Sequence, residues 1–303
     1  MKFTQRLKKI AEYIPKDSKV ADIGTDHGFI PVYLIENKIA TYVVASDLNE
    51  ASLNKAVKEV EKRNLQSLID TRLGDGLHVL LPGEVDVVVI AGMGGILITK
   101  ILEEGKDIAK TIKKFLLQPM RDSAYLREYL IENGYKICDE ELVKEKQRYY
   151  EIIVAEHGRQ KVKNDIYYEI GEKLIQKKHP LLKEFLQYKI DKMKQIIDKL
   201  PKCNKKRKQL EEKVKKFEVL INGLKCQVIA SIMDKLAARK FAEEWDNVGL
   251  LVGDGSKEVS KILVALDATF EVVKEAVNKK VDMIVTHHPL IFKPIKNIRL
   301  IIQ

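Results

Sequence analysis

The first 155 residues alternate between short apolar runs and stretches with helical spacing. An amphipathic helix over 4–14 is predicted before the first run. Strands that alternate with helices indicate a doubly wound α/β sheet with right-handed crossovers. The predicted strands are 19–23, 42–46, 69–73, 85–90 and 114–118, closed by an antiparallel pair at 135–143 and 149–155.

Beyond His157 the pattern changes to two heptad seams, separated by a turn at 201–207. Apolar residues spaced four and three apart on two successive helices predict an antiparallel helical hairpin with coiled-coil packing. Such a hairpin is either an arm that grips a substrate or a packing or dimerisation element. The seam residues are Leu186, Ile190, Met193, Ile197 and Leu200 on the first helix, and Leu210, Val214, Phe217, Ile221 and Leu224 on the second.

A third pattern begins at Cys226 and predicts helix 229–236, strand 262–266, helix 268–277 and strand 283–285. Two strands and two helices make only part of an α/β domain. The exposed edges of those strands would need a partner.

The net charge of +10 is concentrated in one part of the 303-residue chain. Residues 156–222 carry 19 Lys and Arg against 10 Asp and Glu. This excess favours a polyanion such as nucleic acid, although a lysine-rich, solvated helix surface has the same composition. Three widely spaced cysteines fit no metal-binding pattern and suit a reducing compartment. Neither a membrane span nor a signal peptide is recognisable, so we expect a cytoplasmic protein.

Four of the predicted strands end in Gly or Asp, at the edge of the sheet where open α/β folds bind ligands. Residues 22–28 read D-x-G-x-x-x-G, with Asp26 where a dinucleotide fingerprint has its middle glycine. That carboxylate would repel a pyrophosphate but tolerates a cationic sulfonium. Asp47 suits two ribose hydroxyls, and Asp75 suits an adenine amino group.

This pattern is typical of a class I methyltransferase that holds S-adenosylmethionine, so we expect a Rossmann-like sheet. The expected cofactor-binding residues are Asp22, Gly24, Thr25, Gly28, Asp47, Leu48, Asp75, Gly76, Ala91 and Gly92.

Four segments, 20–28, 74–77, 90–95 and 117–119, resemble the bacterial tRNA (adenine-N1)-methyltransferases that modify adenine 22. The resemblance covers about residues 1–224. It implies an S-adenosylmethionine-binding, Rossmann-like domain over 1–156 and a basic, tRNA-binding helical hairpin over 157–224. It also implies N1-methylation of adenine in tRNA, without a metal.

Methyl transfer to N1 requires a flipped base, an aligned sulfonium and stabilisation of the charge that moves onto the ring. We expect Asp26 to stabilise the cationic product. His27 either contacts the base or caps a helix, and Met93 either lies against the base or packs in a tight turn. Gly94 belongs to the loop whose backbone carbonyls would reach the exocyclic amine. The expected catalytic residues are Asp26, His27, Met93 and Gly94.

Basic residues on the first helix and at the hairpin tip are the expected nucleic-acid contacts. Arg121 either touches a phosphate or is simply solvated. Since aromatic residues do not alternate with these cations, recognition of tRNA shape and phosphates is favoured over reading of single-stranded sequence. The predicted contacts are Arg6, Lys8, Lys9, Arg121, Lys205, Lys206, Arg207 and Lys208.

Residues 225–303 resemble the beginning of another family, the dinuclear-metal GTP cyclohydrolase I type 2 homologues. The segments that carry this resemblance are 244–253, 264–267 and 286–290. It implies that His287 and His288 are metal ligands, in an incomplete site, because catalytic metal sites need about three protein ligands. We therefore expect a truncated, partner-seeking fragment.

Three other functions stay open from the sequence. They are metal-dependent hydrolysis by the C-terminal segment, RNA binding without catalysis, and methylation of a small molecule, which would leave the basic hairpin unexplained.

Overall fold

A computed structural model describes residues 3–243 and 246–291. The chain divides into two compact units, Met1–Phe185 and Leu186–Gln303. Within the described residues, no helix is both long and apolar enough to cross a membrane.

The first unit is built on one seven-stranded sheet with the order β3-β2-β1-β4-β5-β7-β6. β1 to β5 run parallel, while β7 is antiparallel to both β5 and β6. The strands are β1 (Ser18–Ile23), β2 (Ala40–Asp47), β3 (Ile69–Leu73), β4 (Val87–Met93), β5 (Lys114–Pro119), β6 (Tyr135–Glu145) and β7 (Arg148–His157).

Helices cover both faces of this sheet, and each face has its own apolar core. The central strands are buried on both sides, which explains their unbroken apolar sequences. The helices are α1 (Gln5–Glu12), α2 (Phe29–Glu36), α3 (Glu50–Lys62), α4 (Gly95–Glu104), α5 (Lys106–Ala109), α6 (Ser123–Glu132), α7 (Ile166–Ile170) and α8 (Glu172–Gln176).

The strand order reverses direction at β1, which lies between β2 and β4. Asp22 of β1 is in register with Ala45 of β2 and Val89 of β4. Crossovers from β1 and from β4 therefore leave towards opposite sides and open a crevice at the carboxyl ends of these strands. This crevice positions the candidate site.

The sequence predicted all seven strands, and the structure moves some boundaries. α2 begins at Phe29 and includes Pro31, because proline is tolerated in the first turn of a helix. β4 extends to Met93 and so reaches the crevice. The short helices α7 and α8 were not predicted, since five residues are too few for a periodic signal.

A buried ion cluster joins α6 to the closing strands. The Arg127 guanidinium, 1% exposed, donates to Glu140 at 2.6 Å and to Glu151 at 2.7 Å. Its third nitrogen, Nη1, donates to the carbonyl of Tyr168 in α7 at 3.0 Å. Burial raises the pKa of Glu140, so its charge depends on this partner.

The second unit begins within α9 (Leu182–Ile197), which is followed by α10 (Lys205–Asn222). The seam residues predicted on these helices include buried Ile190, Ile197 and Phe217. An ion pair from Lys194 to Glu218, at 2.9 Å, links the two helices.

The described remainder of this unit has short strands and leaves large apolar side chains exposed. The two-residue strands β8 (Leu224–Lys225) and β9 (Glu258–Val259) pair antiparallel, and β10 and β11 pair parallel. Large apolar side chains such as Val264 and Phe270 are exposed. The remaining elements are α11 (Cys226–Leu236), β10 (Ile262–Ala265), α12 (Phe270–Asn278) and β11 (Met283–Thr286).

We expect Arg127→Met to destabilise the first unit by about 3–5 kcal/mol, because it leaves the buried Glu140 carboxylate unpaired. Urea unfolding followed by circular dichroism measures this loss. Arg63→Met is the matched control, since Arg63 pairs with Glu36 and Glu59 at the surface, and its expected cost is about 0–1 kcal/mol. Equal losses in both variants would show that the buried cluster has no special weight.

Candidate active site

A cavity of about 570 Å³ lies at the carboxyl ends of β1 to β4. This volume is within the range of about 300–1,000 Å³ found for small-molecule sites. Its described lining contains four carboxylates and one cationic side chain. The lining residues are Thr4, Arg6, Leu7, Asp22, Ile23, Gly24, Asp26, Phe29, Ile30, Asp47, Leu48, Gly74, Asp75, Gly76, Ala91, Gly92, Met93, Leu97, Ile101 and Met120.

The floor of the cavity is the turn after β1. The N–H groups of Gly24 and Thr25 both donate to the Ser46 carbonyl at 2.8 Å, which ties this turn to β2. Gly24 has a φ of +77°, and a Cβ there would collide with the Met93 methyl group. The Met93 side chain therefore lies directly over the glycine, and a side chain at position 24 would displace it.

Asp22 is the buried acid of the cavity, with 5% of its surface exposed. Burial raises its pKa to about 6; the Asp47 carboxylate adds to this rise, while the Arg6 guanidinium opposes it. Nearby, the Ser46 hydroxyl oxygen is buried and has no hydrogen-bond partner among the described residues. A polar ligand in the cavity would compensate the Asp22 carboxyl, which lines it, because a buried charge without a partner is costly.

Two further acids stand at the ends of β2 and β3. Asp47 Oδ1 accepts from the Asn49 N–H at 2.7 Å, which fixes the carboxylate at the cavity wall. Exposed Asp75 precedes a 3₁₀ turn at Gly76–Val79, and its side chain makes no capping hydrogen bond there. Leu48 lies beside them with its side chain exposed. The three side chains present two carboxylates and one apolar surface to a ligand.

Asp26 is exposed, with 67% of its side-chain surface accessible. Its carboxylate lies 3.5 Å from Lys55 Nζ and 3.5 Å from His27 Nε2. His27, which we expected in the pocket, is not on the cavity wall. Its backbone is left-handed, with a φ of +62°, and its ring stacks on Phe29 at 5.2 Å between centroids. It does not cap α2 with its side chain either, since Gly28 is the N-cap residue.

Arg6 points into the cavity, where the sequence suggested a phosphate contact on the surface of α1. Its guanidinium donates to the Gln118 side chain and lies over the Tyr150 ring, 5.2 Å from the centroid. Its backbone N–H donates to Glu145 at 2.7 Å. Gln118 is fully buried and its amide donates to the Pro119 carbonyl, which aims its oxygen at Arg6. Side chains of β5 and β7 thus contact the cation, while Glu145 at the end of β6 holds the Arg6 backbone.

The cavity brings together most of the residues predicted for the cofactor. Most lining residues that the sequence did not single out are apolar, such as Leu97 and Met120, and no local pattern distinguishes them from residues of the core. Predicted residues on the wall are Asp22, Gly24, Asp26, Asp47, Leu48, Asp75, Gly76, Ala91, Gly92 and Met93; those outside it are Thr25, His27, Gly28, Gly94 and Arg121.

The cations predicted to contact phosphates differ in whether their side chains are exposed or already engaged with other groups. On α1, Lys8 is exposed, whereas Lys9 pairs with Glu12 at 2.7 Å. At the hairpin tip, Arg207 turns back, donating to the Ile197 and Leu200 carbonyls at 3.1 and 2.9 Å. It therefore caps α9, and this engagement leaves fewer of its donors for a phosphate. The tip residues with exposed side chains are Lys205, Lys206 and Lys208.

The two histidines implied as metal ligands lie next to each other in the second unit. Their ring centroids are 4.8 Å apart, and His288 Nδ1 is 2.8 Å from an oxygen of Asp267. Across residues 3–243 and 246–291, no group of three or more His, Cys, Asp or Glu side chains is arranged to hold a metal ion.

Comparison with known sequences divides the chain at the same place as its sequence pattern. Residues 20–222 match the family model TrmK, tRNA (adenine(22)-N(1))-methyltransferase, and residues 224–301 match the Duf34/NIF3 (NGG1p interacting factor 3) family model.

Curated relatives exist for both parts. A tRNA (adenine(22)-N(1))-methyltransferase of Bacillus subtilis (strain 168) is 41% identical over 158 residues, which is 52% of this chain and 66% of that protein. A GTP cyclohydrolase 1 type 2 homologue of Staphylococcus aureus (strain Mu50 / ATCC 700699) is 46% identical over 76 residues, 25% of this chain. The aligned region spans just under two thirds of the first relative and 21% of the second.

Solved structures resemble the fold. The B. subtilis m1A22 tRNA methyltransferase TrmK superimposes with a TM-score of 0.67 at 31% identity, covering 73% of this chain and 99% of that one. The M. capricolum TrmK, solved with the cofactor product S-adenosylhomocysteine, gives a TM-score of 0.65 at 27% identity over 72% of this chain and 97% of that one. Because the family model matches residues 20–222, about two thirds of this chain, the chain belongs to the tRNA (adenine(22)-N(1))-methyltransferase family.

Proposed function

We propose that this protein transfers the methyl group of S-adenosylmethionine to N1 of adenine 22 in tRNA. The observation that carries the proposal is the cavity between β1 and β4, with one acid at the end of each of β1, β2 and β3, in a chain of this family. The cofactor supplies an electrophilic methyl group on a sulfonium. The chain's own residues bind it, orient the base and exclude water.

The donor fits the charges of the cavity. Asp47 accepts from the ribose hydroxyls, Asp75 from the adenine amino group, and Asp22 balances the positive charge of the donor. The amino-acid tail of the donor also carries a carboxylate. Arg6 is the one cation among the described lining residues, so it is the partner for that carboxylate.

The acceptor side is the loop at the end of β4. N1 of adenine has a free in-plane lone pair at neutral pH, so the reaction needs alignment more than proton transfer. Met93 lies over Gly24 on the cavity wall. Asp26, also on the wall, offsets the positive charge that the ring gains on methylation. We assign Gly94, the N-cap residue of α4, the positioning of this loop, and His27, which stacks on Phe29, no part in methyl transfer.

We propose that residues 1–156 bind the donor and the base, while the basic hairpin, 157–224, binds tRNA phosphates. Exposed lysines at the hairpin tip provide the salt-dependent part of the affinity. The substrate would place the protein in the cytoplasm. We assign no activity to residues 225–303.

The function is tested by incubating the full chain with S-adenosylmethionine and unmodified tRNA, then digesting the RNA and mapping 1-methyladenosine by mass spectrometry. We expect one modified adenine, at position 22, and no product when that adenine is replaced by guanine. Methylation at another base, or of no base, would contradict the proposal.

We expect Asp47→Ala and Arg6→Met each to weaken binding of S-adenosylhomocysteine, because each removes charge-assisted hydrogen bonds worth about 1.5–3 kcal/mol. Isothermal titration calorimetry measures this as a roughly tenfold or larger rise in Kd. Asp107→Ala is the control, since Asp107 is a surface acid on α5 paired with Lys110. If Arg6→Met binds the product as tightly as the unchanged chain, Arg6 does not hold the carboxylate.

The buried Asp22 makes the ligand-free protein's stability depend on pH. Its folded pKa of about 6 lies above the ordinary value of 3.8, so folding favours the protonated form and stability is lost as pH rises from about 4 to 6. Asp22→Asn removes that loss. Its gain in unfolding free energy over the unchanged chain should grow by about 1–1.5 kcal/mol between pH 5 and pH 8.

Urea unfolding of both proteins at the two pH values measures the difference. A gain that is the same at pH 5 and pH 8 would mean that Asp22 titrates normally. The substitution should also weaken donor binding, since the neutral amide cannot balance a positive charge.

A further inference from the structure

Four large apolar side chains in or next to the first turns of α4 and α6 face solvent. Leu97 and Met120 line the cavity and are still 48% and 47% exposed. Ile96 and Tyr125 are 57% and 50% exposed. We call these four residues the apolar rim. Exposed apolar groups that cluster at one place on a surface indicate a binding site.

The rim is continuous because hydrogen bonds hold the beginnings of α4 and α6 together. The Gly95 N–H at the start of α4 donates to the Arg121 carbonyl at 2.8 Å, and a Cβ on Gly95 would collide with the Asp122 carbonyl. The Met120 N–H donates to the Met93 carbonyl at 2.7 Å. The first turns of α4 and α6 are therefore held against each other, beside the loop that ends β4.

The core of the protein does not use these side chains. α4 packs inward through Ile98 and Leu102, and α6 packs inward through Leu126 and Leu130, all of which are fully buried. The rim residues lie on the outward side of the same first turns. Packing of the core therefore does not explain why these four side chains are apolar.

We propose that the apolar rim holds the unpaired bases that flank the target adenine when it is turned out of the RNA. This inference rests on the proposed function. An enzyme that flips a base leaves its neighbours unstacked, and apolar and aromatic side chains are the groups on which free bases stack. The rim continues directly into the cavity wall through Leu97 and Met120.

Arg121 adds the charge that such an RNA segment requires. Its side chain is 82% exposed, and its nearest described ionic partner, the adjacent Asp122, is 3.6 Å away. It is in close contact with Gly94, where a Cβ would lie 3.2 Å from Nε. The guanidinium thus lies beside the rim, where it can contact the phosphate of a stacked nucleotide.

The test uses Ile96→Ser and Tyr125→Ser in the full chain, since neither side chain lines the donor cavity. We expect the KM for tRNA to rise at least fivefold in each, with the Kd for S-adenosylhomocysteine unchanged. Tyr125→Phe should keep the original KM because the ring is retained. Leu81→Ser is the control, because Leu81 is a large apolar residue that is 68% exposed and lies outside both the cavity and the rim.

A second readout reports on the bases themselves. The fluorescence of 2-aminopurine, placed next to the target adenine in the tRNA, should change on binding to the unchanged chain and to Tyr125→Phe, but much less with Tyr125→Ser. This signal depends on stacking and not on folding of the variant.

An unchanged KM in both serine variants would overturn the inference, as would a 2-aminopurine response that survives Tyr125→Ser. So would sedimentation data showing that the unchanged chain forms a dimer which the serine variants abolish, because the rim would then be a contact between copies. If the unchanged chain methylates no RNA, the proposed function fails first, and that result is distinguishable from a normal activity with an unaffected KM.

Discussion

The structure depends on one constraint, the hydrogen-bonded pairing of β1 with both β2 and β4. Asp22 is in register with strands on either side, so the chain must leave β1 and β4 in opposite directions and a crevice must open where they end. The candidate active site of the first unit lies in that crevice. The acids sit at the ends of β1, β2 and β3, and Met93 enters because β4 is long enough to reach over Gly24.

The buried charges of the site and of the scaffold differ in how completely they are paired. Asp22 is buried with a raised pKa, whereas Arg127, equally buried, has two carboxylates and a carbonyl as partners. A fully paired buried cation fixes the geometry of the closing strands. An acid held without such pairing is the arrangement expected where a ligand supplies the missing partner.

The sequence predicted the parts of this structure that follow from local pattern. Buried strands need unbroken apolar runs, and the acid at the end of β2 is visible in the sequence; both were predicted correctly. The direction of a long side chain is set by contacts between distant segments, which no local pattern contains. Arg6 turns inward because Gln118 and Tyr150 receive it, and Arg207 turns back because it meets the end of α9. His27 leaves the cavity wall because its left-handed backbone directs its ring onto Phe29.

The central claim is that the donor lies over the glycine turn of β1 with its ribose on Asp47. A crystal structure of the full chain grown with S-adenosylhomocysteine tests this most directly. We expect electron density for the ligand in the cavity, with both ribose hydroxyls within hydrogen-bonding distance of the Asp47 carboxylate. Ligand density at another place on the chain, or a ribose turned away from Asp47, would contradict it.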